Sequence, residues 1–336
     1  MCLCLEIMKK FNVGLVGAGF MGRMHAEVLG VLETTELKVV CDIRTEQAKE
    51  IAGSGAQTTD SFDKLLADPI IDVIDICLPT YLHADFTIKA LEAGKHVVCE
   101  KPMAMTVEEG KRMIVAAEQN NRRLMIAHCI RFWPEYEILT DLVKTGKLGK
   151  LLSLNLTRYG AFPTWSAGNW LTDESKSGGG ALDMHIHDTD YALYLLGKPD
   201  EMHSRGSVDE RGASHAFTTM TFGKVVVQCE GGWNLPSTAP FKMAYRAIFE
   251  RGLANFDGGP LTIYEQGKEP VIPEVPRMAS KSAGGNISDL GGYYYEMAYF
   301  YQQLAENQPQ TKLTPQSSLD SLATCLEEIR QIKGAA

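Results

Sequence analysis

The residues from Gly178 to Tyr191, GGGALDMHIHDTDY, combine a glycine run with closely spaced carboxylates and imidazoles. On a helix, Asp183 and His187 stand one turn apart on a common face, and Asp190 follows on nearly the same side. A carboxylate beside an imidazole is the raw material of acid/base chemistry. The same spacing also describes a charged helix face behind capping glycines, so the segment needs partners from elsewhere. His185 lies two residues, about 200° of helical rotation, from His187 and is expected to point away from it. No further ligand spacing accompanies the two histidines, and no metal site is expected.

Partners for that segment lie upstream. Gly17-Ala18-Gly19-Phe20-Met21-Gly22 follows the apolar run FNVGLVG and opens an amphipathic stretch. The first glycine permits a tight turn, the second lets backbone approach a pyrophosphate, and the third lets helix and sheet pack closely. The helix N-terminus then attracts the phosphate charge. Asp42 stands twenty residues beyond Gly22, where a ribose-binding carboxylate belongs. Asp42 favours NAD, since its charge repels a 2′-phosphate. Arg44 is the counter-signal for NADP. Cys77-Leu78-Pro79-Thr80 and Glu100-Lys101-Pro102 each end an apolar run, and His83 follows the first as a helix cap or a cofactor contact. Lys101, partly desolvated beside a dinucleotide, can move a proton or bind a substrate hydroxyl.

The elements that must position these residues read as strand–helix alternation. Candidate strands are FNVGLVG, LKVVC, Gln57–Thr58, VIDICL, HVVCE and RLMIAHC. The helical patterns between them are Met21–Leu32, Glu46–Ala52, Phe62–Ala67, Leu82–Ala93 and Val107–Gln119. Such alternation predicts a doubly wound parallel sheet, and Thr106-Val107-Glu108-Glu109 supplies a capping box for the last helix. From Ile130 the pattern changes. One helix, Glu135–Lys144, precedes strands at Leu151–Arg158, His215–Phe222, Lys224–Trp233, Met243–Glu250 and Leu261–Glu265, which predict antiparallel pairing. The loop Gly160–Ser177 carries Trp165, Asn169 and Trp170. Its aromatics either plug the interior or stack on the apolar face of a substrate ring, with Asn169 reading a hydroxyl. Amphipathic helices at Tyr293–Glu306 and Ser317–Ile332 close the chain.

Composition sets the outer limits. With 336 residues the chain holds two domains, assigned to residues 8–129 and 130–336. A net charge of −9 argues against nucleic acid or an anionic membrane as partner. No apolar run reaches the ~20 residues of a membrane helix. The opening MCLCLEIMKK lacks the features of a secretory signal, and the folded chain is expected to start near Met8. The eight cysteines include no CxxC pair, and several sit in apolar runs, which suits buried thiols in a reducing cytoplasm.

In combination and order, GLVGAGFMGRMHA, Asp42, CLPTYLHADF, CEKP and GGGALDMHIHDTD resemble the Gfo/Idh/MocA oxidoreductases from about Phe11 to Gly197. The resemblance implies an N-terminal Rossmann domain and a C-terminal α/β domain with a large, mostly antiparallel open sheet used for dimer or tetramer formation. It implies hydride transfer between a nicotinamide and a secondary alcohol or ketone of a sugar, polyol or cyclitol. It places catalytic roles on Lys101, Asp183 and His187, with Asp190 and Arg131 as substrate contacts. The family also contains glycosidases that use NAD transiently and non-catalytic nucleotide-binding regulators. Retention of Lys101, Asp183 and His187 argues against a regulator. Two departures stand out: PTYLH places Tyr81 where many members have an asparagine nearby, and His185 stands where a small residue is common.

Overall fold

The computed structural model describes residues 10–164, 166–284 and 287–334. Its first half runs β1 (Phe11–Val16), α1 (Phe20–Val31), β2 (Thr35–Cys41), α2 (Thr45–Ala52), β3 (Gln57–Thr59) and α3 (Phe62–Ala67). It continues with β4 (Val73–Ile76), α4 (His83–Glu92), β5 (His96–Glu100), α5 (Val107–Gln119) and β6 (Leu124–Ala127). Apart from the polar β3, the strands are short apolar runs because helices cover both faces; Val13, Leu15, Ile74, Ile76, Val97 and Val98 are wholly buried. They pair in parallel in the order β3-β2-β1-β4-β5-β6. The chain therefore reverses direction of growth between β1 and β4, and a crevice opens beyond the carboxyl ends of those strands. Thr106 closes its capping box with Glu109 at the start of α5.

The second half contains α6 (Pro134–Thr145), β7 (Leu151–Ala161), α7 (Glu174–Ser177), α8 (Ile186–Leu196) and six further strands. These are β8 (Glu201–Asp209), β9 (Gly212–Phe222), β10 (Val225–Leu235), β11 (Lys242–Phe249), β12 (Gly252–Phe256) and β13 (Thr262–Glu265). The sheet order is β13-β12-β11-β7-β10-β9-β8, antiparallel throughout except for the β7–β10 pair. Leu154, Leu156, Val227, Tyr245 and Ala247 point inward onto Tyr136 and Tyr191 from α6 and α8. The opposite face leaves Phe217, Val226, Ile248 and Tyr264 about half exposed. Strand β8 has no counterpart in the sequence reading. Its only fully buried residue is Ser204, so it carries no apolar alternation.

After the ribbon β14 (Ala279–Gly284) and β15 (Ile287–Asp289), the chain ends in α9 (Gly291–Ala305) and α10 (Pro315–Gly334). These helices do not simply close the second half. Met297, Phe300 and Tyr301 of α9 share a core with Phe11, Val13 and Val28. Leu319, Leu322 and Ile329 of α10 pack with Ala116 and Ile126 of the first sheet's layer, and with Ala181 and Leu182. The apolar faces of both helices thus fasten the two sheets to one another. Among the described residues, no helix is long and apolar enough to cross a membrane.

Candidate active site

A cavity of about 610 Å³ runs from the glycine turn after β1 to the segment before α8. At its entrance Gly17 has φ +100°, and a Cβ there would stand 2.4 Å from the Cys77 carbonyl oxygen. A Cβ on Gly22 would fall 1.9 Å from the Gly17 carbonyl oxygen, so this glycine serves helix packing and does not itself line the cavity. At Gly19 a Cβ would meet no protein atom within 4 Å, which leaves a cradle at the N-terminus of α1. That open approach to the helix N-terminus fits a pyrophosphate. Gly17, Gly19, Phe20, Met21, Leu78, Pro79 and Thr80 all line this end.

Asp42 and Arg44 line it too, and they hold each other. The Arg44 guanidinium donates to both Asp42 carboxylate oxygens, at 3.1 and 2.9 Å, and the amides of Ala18 and Arg44 donate at 2.6 and 2.7 Å. Burial works to raise the Asp42 pKa, but these four bonds outweigh it and hold the carboxyl below its ordinary range. His83 does not line the cavity. Its ring nitrogens lie 2.7 Å from the carbonyl oxygens of Leu78 and Pro102, so it ties together the loops after β4 and β5.

At the far end the two halves of the chain meet. Lys101, directly after β5, donates from Nζ to the Asp183 carbonyl at 2.7 Å and to Asp183 Oδ1 at 3.1 Å. Asp183 lies in a π-helical turn, Ala181–His185, that leads into α8. A wider turn of this kind shifts the side chains that follow and is common at functional sites. His187 lines the same cavity. Its Nδ1 is buried with no hydrogen-bond partner among the described residues, leaving Nε2 as the nitrogen toward the cavity. Asp183 therefore pairs with Lys101 and does not orient His187. Burial, followed by the positive charges of Lys101 and Arg158, pushes the His187 pKa well below its usual value. His187 is thus a neutral imidazole at pH 7, able to take a proton.

Two expected substrate contacts are corrected. Arg131 and Asp190 are buried, form a bidentate pair at 2.8 and 2.6 Å, and do not line the cavity. Arg131 also donates to the Lys312 carbonyl and Ser317 Oγ, while Ser321 Oγ donates to Asp190. The pair fastens α8 to the segment after β6 and to the start of α10, and its hydrogen-bonding capacity is used there. Asn169 is also corrected: it is exposed, with φ +51°, and neighbouring Ser166, Gly168 and Trp170 line the wall instead. Trp165 lies outside the described residues. His185 is buried against Thr218 and Glu328, away from the cavity.

The structure adds lining residues that the sequence reading missed, chiefly Trp133, Arg158, Phe241 and Tyr293. Arg158 is 3% exposed and donates from Nη2 to Asp188 at 3.0 Å and Tyr136 at 3.2 Å. A signal for it existed, since Leu154, Leu156 and Arg158 share the inward face of β7. The aromatics come from loops and from α9, whose approach is a tertiary matter.

Comparisons with known proteins agree with this layout. Residues 11–128 match the model described as "Oxidoreductase family, NAD-binding Rossmann fold". Residues 136–254 match the "GFO/IDH/MocA C-terminal domain". The chain is 35% identical over 207 residues to levoglucosan dehydrogenase of Pseudarthrobacter phenanthrenivorans, covering 57% of this chain and 52% of the relative. It is 27% identical over 233 residues to scyllo-inositol 2-dehydrogenase (NADP(+)) IolW of Bacillus subtilis, covering 68% and 64%. The alignments thus span between about half and two thirds of these relatives' own lengths. A solved levoglucosan dehydrogenase in complex with NADH and levoglucosan shares the fold, with a TM-score of 0.83 at 24% identity over 98% of each chain. The chain belongs to the GFO/IDH/MocA oxidoreductase family, and its first domain is that family's NAD-binding Rossmann fold.

Proposed function

We propose that the chain is an NAD(P)-dependent dehydrogenase or reductase that interconverts a secondary alcohol and a ketone on a sugar, polyol or cyclitol. One observation carries this reading. The Lys101–Asp183 contact brings the end of β5 and the turn before α8 into the cavity that begins at the glycine cradle. Residues 8–129 would supply the cofactor half and residues 130–336 most of the substrate half. Bound NAD supplies the hydride acceptor. Neutral His187 takes the hydroxyl proton at Nε2. Lys101, held by Asp183, donates a hydrogen bond to the same oxygen and steadies its developing negative charge. Glu100 lines the cavity next to Lys101, and Trp133, Trp170 and Tyr293 offer apolar faces for a carbohydrate ring.

NAD is the expected cofactor because Asp42 faces the entrance, while Arg44 leaves NADP open as the alternative. The half-exposed Phe217, Val226, Ile248 and Tyr264 on one sheet face support a homodimer or homotetramer. The six described cysteines are free, which supports a reducing, cytoplasmic setting. The test is a panel of sugars, anhydrosugars, polyols and cyclitols with NAD and NADP in parallel, followed at the reduced-nicotinamide absorbance band. Turnover on members of one substrate class is expected. Nucleotide binding with no reduction across the panel would overturn the reading.

A further inference from the structure

Beneath Glu100 lies a buried chain of ionisable groups that the proposed chemistry does not use. His25, from α1, is wholly buried, with Nδ1 at 2.9 and 3.0 Å from the two carboxylate oxygens of Asp75 on β4. Its Nε2 lies 2.9 Å from Glu100 Oε1 at the end of β5. The other Glu100 oxygen accepts the Lys101 amide at 3.1 Å, and Glu100 lines the cavity. The first helix and the neighbouring strands β4 and β5 thus converge on the wall next to Lys101.

The charge of this cluster follows from its geometry alone. Carboxylates and a bare ring nitrogen only accept hydrogen bonds, so each of the two nitrogen–carboxylate contacts must hold one proton. Two protons shared among Asp75, His25 and Glu100 give one net negative charge, whichever atoms carry them. The surroundings do not cancel it. Lys101 is matched by Asp183, Arg158 by Asp188, and Arg131 by Asp190. Burial keeps His128 neutral, with its pKa lowered to about 4, and burial together with the nearby Glu100 pushes the Glu296 carboxyl well above its usual range, so it adds no positive charge. Burial likewise keeps the Cys77 thiol and the Tyr301 hydroxyl uncharged.

We propose that the Asp75–His25–Glu100 cluster is a fixed negative charge under the cavity wall that favours the oxidised, cationic nicotinamide over the reduced, neutral one. The inference rests on the nicotinamide chemistry proposed above, and it assigns Asp75 and His25 as positioning residues for that chemistry. A unit charge several ångströms away in a partly wet site is worth on the order of tenfold in the affinity ratio.

The test is calorimetric titration of the full chain with NAD+ and with NADH, which reads binding and not turnover. Wild type is expected to bind NAD+ at least as tightly as NADH. Asp75→Asn removes one carboxylate, but a neutral His25 beside an ionised Glu100 preserves the net charge, so the ratio should stay within about twofold. The isosteric Asp75→Asn/Glu100→Gln pair removes the charge and should shift the ratio about tenfold toward NADH. An unchanged ratio in a folded double variant overturns the inference, as does an equal shift in Asp75→Asn alone. Should the double variant fail to fold, wild type binding NADH tenfold more tightly than NAD+ overturns it equally. Absence of binding by either nucleotide overturns the underlying functional reading instead.

Discussion

Replacing Asp190 with asparagine separates a substrate ligand from a fastening between elements. The wild-type carboxylate meets Arg131 at 2.8 and 2.6 Å, with 0% and 2% of the two side chains exposed. Two unit charges about 4 Å apart attract by about 4 kcal/mol at an effective dielectric of about 20. Removing one partner strands the other charge in the interior, and such losses run about 3–5 kcal/mol. Asparagine keeps one acceptor oxygen, which places the expected loss near about 3 kcal/mol. Urea unfolding at pH 7 with the nucleotide absent reads that loss, and steady-state kinetics below the transition should show KM within about twofold of wild type. Burial works to raise the Asp190 pKa, but Arg131, His128 and Ser321 hold it below the ordinary carboxylate range. A depressed folded pKa means the stabilisation is full above about pH 4 and fades as pH falls through the folded value. The gap between wild type and variant should therefore be constant from pH 7 to 5 and close below about pH 4. A tenfold rise in KM with unchanged stability would refute this reasoning and restore Asp190 as a substrate contact.

Three further outcomes follow from the site. His187→Asn should lower kcat by about 10²–10⁴-fold while nucleotide Kd moves little; near-normal turnover would remove His187 as the base. Because burial, Lys101 and Arg158 depress the His187 pKa, the acidic limb of kcat/KM should lie below pH 6.5. Removing positive charge in Arg158→Met should move that limb upward, and a downward move would contradict the assignment. Arg44→Ala should leave NAD binding intact or tighter and weaken NADP binding about tenfold, read by titration with each nucleotide. An unchanged NADP affinity would show that Arg44 serves only to hold Asp42.

What was legible in the sequence was local. The glycine turn announces itself because Gly17, Gly19 and Gly22 each answer a separate steric demand within six residues. Five of the first six strands carry short apolar runs because both sheet faces are covered, while the edge strand β3, Gln57–Thr59, is polar and largely exposed. Strand β8 escaped notice because its side chains alternate between solvent and a polar Ser204. The π-helical turn at Ala181–His185 was equally hidden, since no residue type marks the extra residue per turn. Asp190 and Arg131 carried substrate roles from the family resemblance, which does not tell whether two charges meet a ligand or each other. Only the packing of α8 against the Ser317–Ser321 turn distinguishes the cases. Conversely, Arg158 and Tyr293 belong to elements distant in sequence, and their convergence depends on how the two sheets are fastened.

The most direct test of the central claim uses the best substrate from the panel, carrying deuterium on the carbinol carbon. The account predicts one reduced nicotinamide per ketone formed, the label on C4 of the nicotinamide ring, and loss of this transfer in His187→Asn and Lys101→Met. Release of free sugar with no net nicotinamide reduction would contradict it, as would a product whose deuterium has gone to solvent.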